Sequence, residues 1–177
     1  MDEALGAALM AACPSVVKDT KAHLREHAAE VQLPFLQVYL PEFTFVPVVV
    51  GTQELGALKA LGLGMAKVVR DLGEEAAIVV STDMNHYEAA RTNRRKDDLA
   101  LDALVHLDAA RLHRVCLQEG ISMCGFAPSV AAVFAAVELG AKVADIVDYT
   151  HSGMVTGDDS EVVSYAALRI LRPETSP

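Results

Sequence analysis

Between residues 53 and 72 the apolar positions Leu55, Leu58, Leu61, Met65, Val68 and Leu72 recur at steps of three, four or seven, which predicts one helix. The same spacing predicts helices over 2–13, 92–106 and 108–118, the last opening on Asp108 as its cap and closing at Gly120. "APSVAAVFAAVELG" is a further helix, with Pro128 near its start and Gly140 just past its end. In 19–40, Ala28, Val31, Phe35 and Val38 keep helical spacing around Pro34, which is expected to end or kink that helix.

Other stretches lack this period. "FTFVPVVVG" (43–51) and "EAAIVVSTD" (75–83) are β-branched and almost continuously apolar, and predict buried strands. "KVADIVDY" and "EVVSYAALRIL" predict two more, the second apolar on both faces and so expected to be covered on both sides. Strands alternating with helices predict an α/β fold, a layered helix/sheet/helix sandwich around a mixed, mostly buried β-sheet. The 177 residues suit a single domain, 1–177, without linker, repeat or low-complexity tract.

Composition narrows the partners. A formal net charge of −9 argues against a nucleic-acid backbone or an anionic membrane. Arg91, Arg94, Arg95 and Lys96 form a local basic cluster, read as a solvated helix start. No apolar run reaches the roughly 18–20 residues of a membrane span. Three cysteines without a CxxC pair suit a reducing compartment, and the acidic start of the chain is unlike a signal peptide, so a cytoplasmic location is expected.

Polar chemistry concentrates where two strands end. "STDMNHY" follows the apolar body of 75–83, and ligands in α/β sheets gather at the carboxyl ends of strands. Asp83 and His86, three apart, can lie on one side of a turn; a carboxylate beside an imidazole makes a general base or orients a metal ligand. The plainer alternative has Asp83 capping the next helix and His86 packing against it. In "SMCGFAPS", Cys124 stands before Gly125 and a helix start, a setting for a reactive thiol or for a small core residue. Cys13 and Cys116, on helix faces, are read as structural. "REHAAE" offers His27 and Glu30 as a helix-start pair. His151 begins a Gly/Ser/Asp-rich loop at the end of the strand 142–149. No GxGxxG, Walker loop, HExxH or GxSxG occurs.

The order "EHAAEVQLPFLQ", "FVPVVVG", "IVVSTDMNHY", "SMCGFAPS", "DYTHSG" and "VVSYAAL" resembles the Memo family, the protein B type of the AmmeMemoRadiSam system, from about residue 2 to residue 171. The resemblance implies a fold similar to class III extradiol dioxygenases, the non-haem iron enzymes that open catechol rings. It implies a pocket in which Asp83 and His86 are the catalytic pair and Cys124 is a metal ligand. His27, Tyr87 and His151 are the substrate contacts it suggests, and iron or copper the metal. The family's remaining ligands are histidines of an amino-terminal third that finds no match here, so the metal site is expected to be completed from elsewhere. An upstream polypeptide, a second copy of the chain, and an unidentified small molecule or peptide are the partners this implies. Two functions follow: metal-dependent redox or oxygenase chemistry, or a non-catalytic module that binds a peptide or small ligand through the same pocket.

Overall fold

The computed structural model describes residues 1–40, 42–72 and 76–173. Its elements run α1 (Glu3–Ala12), a 3-10 turn (Glu30–Gln32), α2 (Leu33–Tyr39), α3 (Leu55–Leu72), β1 (His86–Glu88), α4 (Ala90–Val105), α5 (Ala109–Gln118), α6 (Phe126–Glu138), β2 (Val143–His151), α7 (Gly153–Thr156) and β3 (Val162–Leu171). This is an α/β fold, as the alternation of periods predicts.

The helices form where local signals place them. Asp2 caps α1 through Leu5 N–H, and Asp108 caps α5 through Arg111 N–H. Pro34 opens α2 instead of breaking it, because a proline in the first turn costs no helical hydrogen bond. Helices α5 and α6 both end in the same turn, with Gly120 (φ +57°) and Gly140 (φ +91°) in the left-handed region. Ile121 N–H then returns to Cys116 O, and Ala141 N–H to Ala136 O. The first of these turns throws the chain into the loop 121–125, and the second delivers it to β2.

Helices α3 and α6 meet at Gly62, where a Cβ would lie 2.4 Å from Ala131 O and 2.7 Å from Phe134 Cβ. That approach seals Leu58 into the same core as Met84, Leu101, Leu112, Val130 and Val133. Burying one such leucine is worth about 1.5–3 kcal/mol.

The described strands form one sheet, ordered β1-β3-β2, with antiparallel pairing throughout. In β3 the even-numbered side chains Ala166, Leu168 and Ile170 pack on the helical core. The odd-numbered face is open, with Tyr165 and Leu171 exposed, so the expectation that this strand is covered on both sides is corrected. The stretches 43–51 and 76–83 have no ladder partner among the described residues and are not strands (Glu75 lies outside those residues). Val48, Val49 and Val79 are exposed along them. Their composition suits a pleated surface, yet a strand exists only where a neighbour supplies its hydrogen bonds.

Candidate functional site

Two segments meet to form the site. The run ending at Asp83 approaches the loop 121–125 so closely that a Cβ on Gly125 would lie 2.5 Å from Thr82 Cβ and 2.8 Å from Ser81 O. Gly125 N–H donates to Thr82 Oγ1 at 2.7 Å, and that hydroxyl donates to Asp83 O at 2.7 Å. Across the same seam, Asp83 N–H donates to Cys124 Sγ at 3.1 Å. Gln32, from the turn before α2, reaches Ser81 Oγ at 3.0 Å and brings the "EVQLPFL" segment against the back of this run.

Asp83, His86 and Cys124 therefore converge, their ligand atoms all within 4.8 Å of one another. His86 is largely buried and Asp83 half-exposed, with His86 Nε2 3.4 Å from Asp83 Oδ2. His86 Nδ1 lies 2.7 Å from the carbonyl of Ser122, which can only accept, so Nδ1 carries the proton of the neutral ring. Nε2 is then bare and faces the carboxylate. Tyr87 follows in a left-handed conformation (φ 57°) that is uncommon for residues other than glycine. That turn leaves its ring exposed, 5.6 Å from the His86 ring.

The other residues named from sequence fall elsewhere. His27 is exposed, its carbonyl accepting Val31 N–H at the start of the turn before α2. His151 is opposite Ser164 on β3, while His86 is opposite Val163, so strand alternation sends the two imidazoles to opposite faces of β3. His151 Nδ1 is buried 3.7 Å from Asp159 Oδ1, in a niche that a Cβ on Gly153 would fill. Of the basic cluster, Lys96 is not solvated: it is 13% exposed and bridges Glu88 and Gly120 O. The Arg94 guanidinium stacks over the Tyr149 ring at 4.4 Å.

Beneath the site lies a polar network that sequence reading missed. Asn85, Asn93, Asp97 and Ser164 are fully buried. Asp97 accepts from Asn85 N–H, Tyr149 O–H and Ser164 O–H. Burial, followed by the Asp97 hydrogen bond, pushes the Tyr149 phenol far above its usual range. Asn93 donates to Asn85 O, Val162 O and Ser164 Oγ, tying α4 to β3 and to the residue before His86. The available signal was periodic: Asn93 and Asp97 continue the buried stripe of Ala100, Leu101 and Leu104 on α4.

Fold and site together define an α/β protein with an aspartate, a histidine and a cysteine gathered beside the opening of a short strand. The chain belongs to the Memo family: the family model described as Memo-like protein matches residues 1–169. That family is related to the extradiol dioxygenase fold. A MEMO1 family protein of Aquifex aeolicus is 41% identical over 159 residues, covering 89% of this chain and 59% of the relative. One from Methanopyrus kandleri is 36% identical over 169 residues (95% and 60%), and one from Pyrobaculum aerophilum 33% over 172 residues (97% and 61%). The chain thus spans about 60% of the length of the curated relatives it matches. No helix among the described residues is long and apolar enough to cross a membrane.

Proposed function

We propose that this protein holds an iron or copper ion at Cys124 and uses the pocket formed with Asp83 and His86 for metal-dependent redox or oxygenase chemistry on a small organic substrate. The observation that carries the reading is the convergence of three candidate donor atoms, a carboxylate oxygen, an imidazole nitrogen and a sulfur, within 4.8 Å. A cation held at Cys124 would lie beside this carboxylate and imidazole and offset the repulsion between their lone pairs. A thiolate binds first-row metals at about 2.3 Å, so an ion on Cys124 would stand next to Asp83 and His86. The Cys124 thiolate, completed by imidazoles from outside this chain, suits iron or copper.

Such an ion supplies electron transfer and a place for an oxidant or substrate to bind. The chain's own groups supply the proton chemistry. His86 Nε2, bare and directed into the cluster, accepts a proton from a substrate hydroxyl, and Asp83 Oδ2 at 3.4 Å stabilises the imidazolium that results. Tyr87 stands at the exposed rim, where an aromatic substrate can stack. Further metal ligands are proposed to come from polypeptide outside this chain, as the family resemblance implies, and the activity of the whole protein is part of the proposal.

The test is metal content by mass spectrometry after anaerobic loading with ferrous or cuprous ion and desalting. In a sample that also contains the polypeptide supplying the further ligands, the unaltered chain is expected to retain metal and Cys124→Ala to lose most of it. Equal retention by both removes Cys124 as a ligand and the reading with it.

A further inference from the structure

We infer that Ser122 is a positioning residue, aligned by the buried amides of Asn93 and Asn85, that fixes His86 in the tautomer with the proton on Nδ1. This rests on the reading above, since it explains how a bare Nε2 comes to face Asp83 and Cys124.

The chain of hydrogen bonds has only one workable direction. Asn93 Nδ2 faces three acceptors, Asn85 O at 2.8 Å, Val162 O at 3.1 Å and Ser164 Oγ at 3.2 Å, so its amide cannot be reversed. Its Oδ1 must then face Asn85, where it accepts from Asn85 Nδ2 at 2.8 Å. Glu88 takes a second bond from the same nitrogen. Asn85 Oδ1 is left pointing at Ser122, and accepts from its N–H at 2.8 Å and its hydroxyl at 3.0 Å. A hydroxyl has one proton. Committed to Asn85, it presents only lone pairs to His86, whose backbone N–H it accepts at 2.8 Å. The Ser122 carbonyl is thereby set 2.7 Å from Nδ1, where it demands a donor.

The directions from Val162 O to the Ser122 hydroxyl follow one from another, and the Ser122 carbonyl that this chain holds in place, an acceptor only, sets the last. Histidine side chains free in water favour the opposite tautomer, so a ring protonated on Nδ1 has to be imposed by its surroundings. Asn85 and Asn93 are buried, whereas Ser122 is exposed and replaceable without opening the core.

The experiment is nitrogen-15 NMR of the His86 ring in the metal-free chain at about pH 8.5, well above the ordinary histidine range. Unaltered protein is expected to show a protonated Nδ1 and a bare Nε2. Ser122→Ala leaves the carbonyl held by the Asn85–Ser122 N–H bond alone, and is expected to give a mixture of tautomers. Ser122→Thr keeps the hydroxyl and is expected to restore the single form. Protonated Nε2 in the unaltered chain overturns the inference, as does a folded Ser122→Ala whose ring is unchanged. Because no metal is present, these outcomes are independent of the loading experiment: loss of metal binding with the tautomer intact defeats the proposed function alone.

Discussion

Asp83 donates its backbone N–H to Cys124 Sγ across 3.1 Å, although the two residues lie 41 positions apart in sequence. The bond joins the run ending at Asp83 to the loop before α6, and Gly125 is what allows that approach. With a Cβ there 2.5 Å from Thr82 Cβ and 2.8 Å from Ser81 O, one segment must move. Gly125→Ala is therefore expected to destabilise the fold by about 1–3 kcal/mol, the usual cost of overpacking, seen as a lower urea midpoint. Gly51→Ala, with nothing within 4 Å of its Cβ, is the control and is expected to be near neutral.

The three cysteines differ in access, and alkylation reads that difference directly. Cys124 is exposed, while Cys13 and Cys116 are 1% and 3% exposed. Burial also pushes the Cys116 thiol up to about 12, which suppresses its nucleophilic thiolate. Iodoacetamide on the native chain is expected to add a single mass increment, mapping to Cys124, with the other two modified only after denaturation. Early labelling of Cys116 would contradict the packing of α5 against α6.

What the sequence revealed, and what it hid, follows from how local each signal is. A helix carries its own hydrogen bonds, so the period of α3 and the Asp108 cap of α5 were readable from neighbouring letters. The strands β2 and β3 were also legible, because each found the other. The runs 43–51 and 76–83 carry the same β-branched composition, but composition cannot show whether a partner strand is present. Within the candidate site, Asp83 and His86 stood out as polar letters after an apolar run and Cys124 as a thiol before a helix start, each with a plainer structural reading beside it. Ser122 and Asn85 did not, for their role is set by what each one faces across the fold.

Asp97 is the keystone of the buried network, and its carboxylate accepts from three donors on three elements of the chain. Asp97→Ala orphans Asn85 N–H and Tyr149 O–H, while Ser164 O–H keeps Asn85 O as an acceptor at 3.1 Å. Each orphaned buried group costs about 1–3 kcal/mol, so a loss of at least about 2 kcal/mol is expected in equilibrium denaturation. Tyr149→Phe removes one donor and leaves Asp97 two, and is expected to cost about 1 kcal/mol. A smaller loss for Asp97→Ala than for Tyr149→Phe would contradict this arrangement.

The ion pair at the floor of β1 gives the fold a dependence on pH. Hydrogen bonding to Lys96, then to Asn85, holds the Glu88 carboxyl below its ordinary 4.5, against an opposing effect of burial. A carboxyl with a depressed folded value stabilises the protein above its unfolded value, and that contribution is lost as pH falls through the folded one. The urea midpoint is therefore expected to hold steady above about pH 5 and to fall below it. Asp2, Glu54 and Asp158 are lowered by hydrogen bonds to their carboxylates and act with the same sign, so the fall alone does not isolate Glu88. Glu88→Gln does: its midpoint is expected to lie below that of the unaltered chain at neutral pH and to converge with it at low pH. The Glu88 carboxylate is 37% exposed, and solvent screening limits the difference to under about 1 kcal/mol. A gap between the two proteins that stays constant down to about pH 3 would place the effect in packing instead of in the charge of Glu88.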